Sequence, residues 1–352
     1  MPDRHDEPGP GTGETVTTTT FAPRQADEIG RKLAPMYAPI LDELAESERI
    51  FAAELGSRHH FVQQLVDHCA DFKGKRLRPA LVLLTGQATG RLTADHPVLA
   101  AVVEMIHTAT LVHDDILDES TVRRHAATVN AEWGTESAVL MGDYLFTHAF
   151  HLAASLETTR ACRWIGRATN LVCEGEMQQV HHRGNLDLDE DAYFAIIRGK
   201  TAELIAVSCQ LGAHYAGAND ATVRAMEEYG RDLGVAFQIA DDVLDLVGEE
   251  RATGKSLGTD LEKQKLTLPI IRALAVADPA DSRHLLSLLT EASAANRREV
   301  RRLIQGTDAL RYAWAHAERF AKRAAARLDS LPETPARAIL QALTVQVVRR
   351  DA

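Results

Sequence analysis

The stretch Glu104–Arg124, EMIHTATLVHDDILDESTVRR, decides how the rest of the chain reads. It carries Asp114, Asp115 and Asp118 in the spacing DDxxD, with Met105, Ile106, Leu111 and Val112 before them and Ile116 and Leu117 among them. No Gly or Pro falls between Val98 and Arg124, so the pattern predicts one helix over that run. On a helix Asp114 and Asp118 share a face, about 6 Å apart along the axis, and Asp115 lies roughly 100° round. Carboxylates stacked so closely repel one another unless a cation sits between them. Oxygen ligands of this kind suit Mg²⁺, which keeps several waters and is usually shared with substrate phosphates.

The spacing recurs at Asp241, Asp242 and Asp245, in FQIADDVLDLVGEE. One DDxxD arises readily in an acidic chain. Two, each inside an apolar helix where charge is costly, are harder to dismiss. Two solvated acidic faces are the alternative, but Ile116, Leu117, Val243 and Leu244 leave little of either helix for water. The sequence predicts two facing helices that hold a magnesium cluster and a diphosphate between them.

The chain has 352 residues, enough for one large domain or two small ones. Hydrophobic residues make up 45% but aromatics only 5%, so Leu, Ala, Val and Ile must build the core, a mixture that favours helices. The formal charge of −11 argues against a general nucleic-acid binder. Cys69, Cys162, Cys173 and Cys209 form no CxxC pair and read as buried free thiols in a reducing compartment. No apolar run of membrane-spanning length and no basic-then-apolar leader is present, so the expected location is cytoplasmic.

Residues 1–24 are rich in Pro, Gly, Thr and acidic residues without periodicity and read as a disordered tail; residues 25–352 read as one domain. Helical spacing runs from Ala26 to Leu55, broken or kinked at Pro35 and Pro39, and again from Phe61 to Phe72. FKGKRLRP, residues 72–79, follows: Gly74 for a tight turn, Lys75, Arg76 and Arg78, then Pro79 at a helix start. Basic side chains beside a helix N-terminus make an anion site. Arg123 and Arg124, just after the first acidic motif, suit bidentate capture of diphosphate oxygens. Helices are expected over Ser137–Leu156, Cys162–Val180 and Leu188–Gly217, the last carrying Lys200 and Thr201 in RGKT. Ala221–Leu246 carries the second motif, with Gln238 one turn before Asp241 and on its face. Gly248–Lys265 reads as a mobile loop able to close over a ligand, and helical periodicity resumes to Val348. No strand of convincing length is evident.

Taken in order, GKRLRP, IHTATLVHDDILD with its arginine pair, RGKT, FQIADDVLD, GKSLGTDL and KLTLP resemble the trans-type polyprenyl diphosphate synthases, from about residue 30 to the C-terminus. The resemblance implies an all-α isoprenoid synthase fold, helices round a deep central cavity, and a homodimer. It implies that Asp114, Asp118 and Asp241 bind magnesium, supported by Asp115, Asp242 and Asp245. Lys75, Arg78, His107 and Arg124 match the positions that bind isopentenyl diphosphate. Arg123, Lys200, Thr201, Gln238 and Lys255 match those for the allylic diphosphate, with Lys265 a further basic position. Lys73 and His125 stand where the family usually has glycine.

The chemistry implied is head-to-tail prenyl transfer: a diphosphate leaves an allylic carbon as bound metal, Arg123, Lys200 and Lys255 neutralise its charge. The cation then meets isopentenyl diphosphate held alongside. Ala109 and Thr110, about one turn above the first motif, are small where short-chain enzymes of the family often carry an aromatic, which predicts a medium or long product. A shorter farnesyl or geranylgeranyl product is the alternative. A terpene cyclase or a head-to-head synthase fits the motifs less well. A regulatory subunit of a heteromeric synthase would tend to lose aspartates, and all six are present.

Overall fold

The computed structural model describes residues 34–70, 74–124, 126–247, 259–290 and 296–349. The expected N-terminal tail, Lys73, His125 and Lys255 with most of the expected loop lie outside them. Pro39 sits inside a 3₁₀ segment, Ala34–Ile40, and the first regular helix starts just after it. The early helices are α1 (Leu41–Leu55), α2 (His60–Ala70), α3 (Leu77–Thr89) and α4 (Asp95–Leu117). A hairpin of two-residue strands, β1 (Val122–Arg123) and β2 (Ala126–Ala127), leads to α5 (Val129–Ala154) and α6 (Arg160–His181). Then come α7 (Glu190–Ile197), a π turn (Arg198–Ala202), α8 (Glu203–Tyr215) and α9 (Asp220–Val247). The C-terminal third is α10 (Thr259–Glu262), α11 (Leu268–Val276), α12 (Pro279–Thr290), α13 (Arg297–Gln305), α14 (Ala309–Arg327) and α15 (Pro335–Val348).

The architecture is all-α, and α8 lies at its middle. Residues 203 to 209 are all buried, so α8 is covered all round, as expected of a helix apolar on every side. It packs against α3, α4, α6 and α9, so both aspartate helices share it as a support. α3 is similarly apolar: Leu81, Val82, Leu83 and Leu84 have no exposed surface, and truncating any of these leucines to Ala costs ~2–5 kcal/mol. Gly212 lets α8 approach α3, since a Cβ there would lie 2.2 Å from the Val82 carbonyl oxygen. Gly175 does the same for α6 and the π turn, where a Cβ would lie 2.4 Å from the Lys200 nitrogen. Side chains cap the ends: Thr128 accepts the Ala131 N–H (3.3 Å) at α5, and Asp189 accepts the Ala192 N–H (2.8 Å) at α7.

Three expectations need correction. The helix expected to reach Arg124 stops at Leu117. Leu117 itself is 43% exposed, so the first motif is less enclosed than its apolar neighbours suggest. Of the cysteines, only Cys69 and Cys209 are buried; Cys162 is half-buried and Cys173 exposed, all four as free thiols. No helix among the described residues is long and apolar enough to cross a membrane.

Candidate active site

The first motif ends α4, and the way the helix stops shapes the site. Asp118 caps it, donating its N–H to the Asp114 carbonyl at 2.8 Å, and Glu119 takes a left-handed φ of 51°. Ser120 donates its N–H back to the Asp115 carbonyl (2.9 Å), while the Thr128 hydroxyl donates to the Ser120 carbonyl (2.7 Å). These short-range polar bonds outcompete further helix. The hairpin then returns Arg123 to Asp115, and its guanidinium grips both carboxylate oxygens at 2.8 Å. In a continued helix, eight residues would separate the two by about 12 Å. Asp115 is buried. Burial pushes its carboxyl above the usual carboxylate range, and the bonds to Arg123 oppose that.

Asp114 and Asp118 face the other way, towards a layer of lysines. Asp118 meets Lys263 at 3.0 Å, Lys265 at 3.0 Å and Arg183 at 3.3 Å. Burial pushes its carboxyl up, but Lys265 and Lys263 outweigh it and hold it below the ordinary value. Lys200, on the π turn, lies 3.9 Å from Asp114, pairs closely with Glu176, and donates to the Gln179 side chain at 2.8 Å. Burial alone would lower the Lys200 ammonium's pKa; Asp114 and Glu176 raise it instead. Glu176 is pushed up by burial and by Asp114.

On the second motif, Asp242 is buried with both oxygens occupied. The Tyr193 hydroxyl donates to Oδ2 at 2.6 Å and the Gln238 amide to Oδ1 at 2.7 Å; the Thr201 hydroxyl in turn donates to Gln238 at 2.8 Å. Gln238 therefore serves Asp242, four residues on, rather than the face it was expected to share with Asp241. Burial and then Asp260 hold the Asp242 carboxyl well above its ordinary range. Asp241 and Asp245 are half-buried, and Asp245 accepts the Asp260 N–H at 3.2 Å. Burial and Asp245 push Asp260 up to about 6, against the pull of Lys265, Lys200 and Lys263. The same lysines thus face the first motif and, through Asp260, the second. A pocket of about 100 Å³ opens beside them, bounded by Lys200, Thr201, Gln238, Asp242, Asp260 and Lys265, with Ile196, Ile197 and Leu266 as apolar wall.

A second basic cluster forms at the start of α3. Its left-handed residue is Arg76 (φ 51°), not Gly74. Arg76 is tied to Glu104 (2.5 Å) and Glu48 (3.1 Å) and so is structural. Gly74 serves close approach: a Cβ there would lie 2.5 Å from the Arg124 guanidinium. Burial lowers the Arg78 pKa to about 10, with Arg124 adding, and the Arg78 Nε is buried with no partner among the described residues. His107 is held neutral, first by burial and then by Arg78, Arg124, Arg123 and Arg76. Arg78, His107 and Arg124 thus share one concentrated positive field, next to Lys75, whose carbonyl accepts the Tyr37 hydroxyl at 3.0 Å. Ala109 is fully buried; Thr110 is half-buried, its hydroxyl donating to the His107 carbonyl at 2.8 Å.

Sequence reasoning missed Glu176, Gln179, Arg183, Tyr193, Asp260 and Lys263. Glu176, Gln179 and Arg183 recur at helical spacing on or just beyond α6, a detectable signal. Asp260 lay inside the quoted GKSLGTDL motif without being singled out, and Tyr193 and Lys263 carried no signal that distinguished them from ordinary polar residues. Among the described residues, no three His, Cys, Asp or Glu side chains lie close enough together to hold a metal ion by themselves.

Residues 59–306 match the polyprenyl synthetase family. The chain is 34% identical over 299 residues to octaprenyl diphosphate synthase of Escherichia coli (strain K12), covering 85% of this chain and 93% of that one. It is 35% identical over 320 residues to heptaprenyl diphosphate synthase component 2 of Geobacillus stearothermophilus, covering 91% and 99%. The crystal structure of a polyprenyl synthase from Caulobacter crescentus CB15, complexed with calcium and isoprenyl diphosphate, superposes with a TM-score of 0.86 at 34% identity, over 94% of this chain and 100% of that one.

Proposed function

The chain belongs to the polyprenyl synthetase family, and we propose that it joins isopentenyl diphosphate head-to-tail to an allylic diphosphate, giving a medium or long all-trans polyprenyl diphosphate. The observation that carries this reading is the lysine layer: Lys200, Lys263 and Lys265 stand against Asp114 and Asp118, with Asp260 and the second motif behind them. An allylic diphosphate entering there exchanges its oxygens for carboxylates on the lysines. Lys200 and Lys265 then hold the departing charge, with Lys255 assigned by family position, whereas Arg123, expected beside them, is committed to Asp115. The arginine–histidine cluster takes isopentenyl diphosphate. Arg78, whose orphaned Nε needs an acceptor, and Arg124 grip its phosphates, while neutral His107 donates one hydrogen bond.

The donor set fits Mg²⁺. Asp114, Asp118 and Asp241 offer hard oxygens, and Mg²⁺ held by a few carboxylates completes its shell with phosphate and water. When bound, the metal supplies charge neutralisation of the leaving diphosphate. The calcium and isoprenyl diphosphate named for the Caulobacter structure support a divalent ion and a diphosphate in this fold. Small Ala109 and Thr110 and the octaprenyl and heptaprenyl relatives favour the longer product. Exposed Leu140 and Val139 on α5 and Met177 and Val180 on neighbouring α6 are apolar surface that a homodimer would cover. A cytoplasmic enzyme fits the four free thiols.

The relative named a component supports a second reading, that this chain works only with a partner subunit. Incubating the purified protein with labelled isopentenyl diphosphate, farnesyl diphosphate and Mg²⁺ separates the cases. Elongated diphosphates from the protein alone, abolished by a chelator, are expected. A free hydrocarbon would instead indicate a cyclase, and an inert protein the partner-dependent component.

A further inference from the structure

The second motif is tied to the rest of the protein by two hydroxyls from one rod. Tyr193 on α7 and Thr201 on the π turn both lead to Asp242: Tyr193 directly at 2.6 Å, Thr201 through Gln238 at 2.8 and 2.7 Å. The two tethers differ in strength. Gln238 and Asp242 lie on the same helix, so their bond cannot place that carboxylate relative to the neighbouring helices. The Tyr193 hydroxyl is a direct cross-helix donor to it, and its bond is short. Tyr193 and Asp242 are 3% and 4% exposed, so water does not stand in for either partner. Asp242 Oδ2 without that donor would be a buried oxygen in need of a cation or a proton. Among the described residues, the cations that line the same pocket are Lys200 and Lys265.

We infer that Tyr193 is a positioning residue for prenyl transfer: its hydroxyl holds the Asp242 carboxyl against α7, so that Asp241 and Asp245 present the second motif to a metal–diphosphate. The inference rests on the reaction proposed above and assigns Tyr193 no contact with substrate. Groups that orient a metal site from behind typically change metal affinity 10- to 100-fold when removed, and Tyr193 stands behind the second motif through Asp242. Tyr193→Phe keeps the ring and its packing and deletes only the donor.

The test uses Mn²⁺ as a spectroscopic probe and inorganic pyrophosphate as the anion, so that binding is read without turnover. Free Mn²⁺ is followed by electron paramagnetic resonance in wild type, Tyr193→Phe, Asp242→Asn and the double variant. Tyr193→Phe should weaken pyrophosphate-dependent Mn²⁺ binding by about tenfold with little change in Tm. In the Asp242→Asn background the same change should do nothing more, because there is no carboxylate left to hold. The KM for isopentenyl diphosphate, bound at the separate arginine cluster, should not move. Unchanged Mn²⁺ binding in Tyr193→Phe overturns the inference, as does an effect that simply adds to that of Asp242→Asn. A wild-type protein that binds Mn²⁺ with pyrophosphate but elongates no primer defeats the proposed reaction, while the comparison of Mn²⁺ binding between the variants still decides the role of Tyr193.

Discussion

Replacing Asp115 with asparagine should damage stability, whereas replacing its neighbour Asp114 should damage turnover. Asp115 is 2% exposed at the side chain and holds Arg123, itself 24% exposed, through two bonds of 2.8 Å. Removing one member of a fully buried pair costs ~3–5 kcal/mol, while surface pairs are worth ~0–1 kcal/mol. With one partner buried and the other partly wet, Asp115→Asn should cost ~2–3 kcal/mol. At about 2 °C per kcal/mol, the low end for large domains, Tm should fall by ~4–6 °C. Asp114 differs: its lysine is 3.9 Å away and already held by Glu176 and Gln179, and its charge strains Glu176. Asp114→Asn relieves that repulsion, so Tm should stay within about 1 °C, while turnover falls at least ~100-fold as charge stabilisation is lost. Thermal unfolding in a chelator, beside a radiolabel elongation assay, reads both. The reasoning fails if Asp115→Asn leaves Tm untouched, or if Asp114→Asn lowers it as much.

Gly74→Ala pushes a Cβ to within 2.5 Å of the Arg124 guanidinium, the movable end of a flexible side chain. The fold should survive while Arg124 shifts, raising the KM for isopentenyl diphosphate ~10-fold with kcat nearly kept; equal losses in both would contradict this in steady-state kinetics. Asp260, raised to about 6 by burial and Asp245, binds its proton more tightly folded than unfolded. Its destabilising effect is therefore absent below the ordinary carboxylate range near pH 4 and complete above about pH 6. Asp260→Asn should gain on wild type by ~2–3 kcal/mol across that window in metal-free protein, measured by urea unfolding at each pH; a gap independent of pH would refute it. Thr110→Phe should shorten the product chains, sized by chromatography after dephosphorylation, and an unchanged product would remove this level of α4 from chain-length control.

Much of this was legible in the sequence for a physical reason. Apolar periodicity and Gly or Pro breaks report helices directly, and α9 and α15 end within a residue or so of where the pattern puts them. The basic turn before α3 and the two acidic motifs were legible because charge inside an apolar run needs an explanation. Contacts across long separations were not. Nothing near Asp118 announces Lys263 and Lys265, and nothing near Asp242 announces Tyr193. The end of α4 escaped for a different reason: it is set by Ser120 and Thr128 hydrogen-bonding locally, not by Gly or Pro.

That helix end explains more than a boundary. In a DDxxD on any helix, the first and last aspartates share one face and the middle one lies roughly 100° away. If the shared face looks into a cleft, the middle carboxylate turns into protein and must find a donor there. Both copies obey this: Asp115 is met by Arg123, and Asp242 by Tyr193 and Gln238. The need for a donor follows from the spacing; its identity does not. Arg123 reaches Asp115 only because α4 stops and the hairpin doubles back. The early stop of α4 and the engagement of Arg123 with a carboxylate are therefore one event. At the second copy α9 runs on past Asp245 to Val247, and the donors to Asp242 among the described residues come from α7 and from α9 itself.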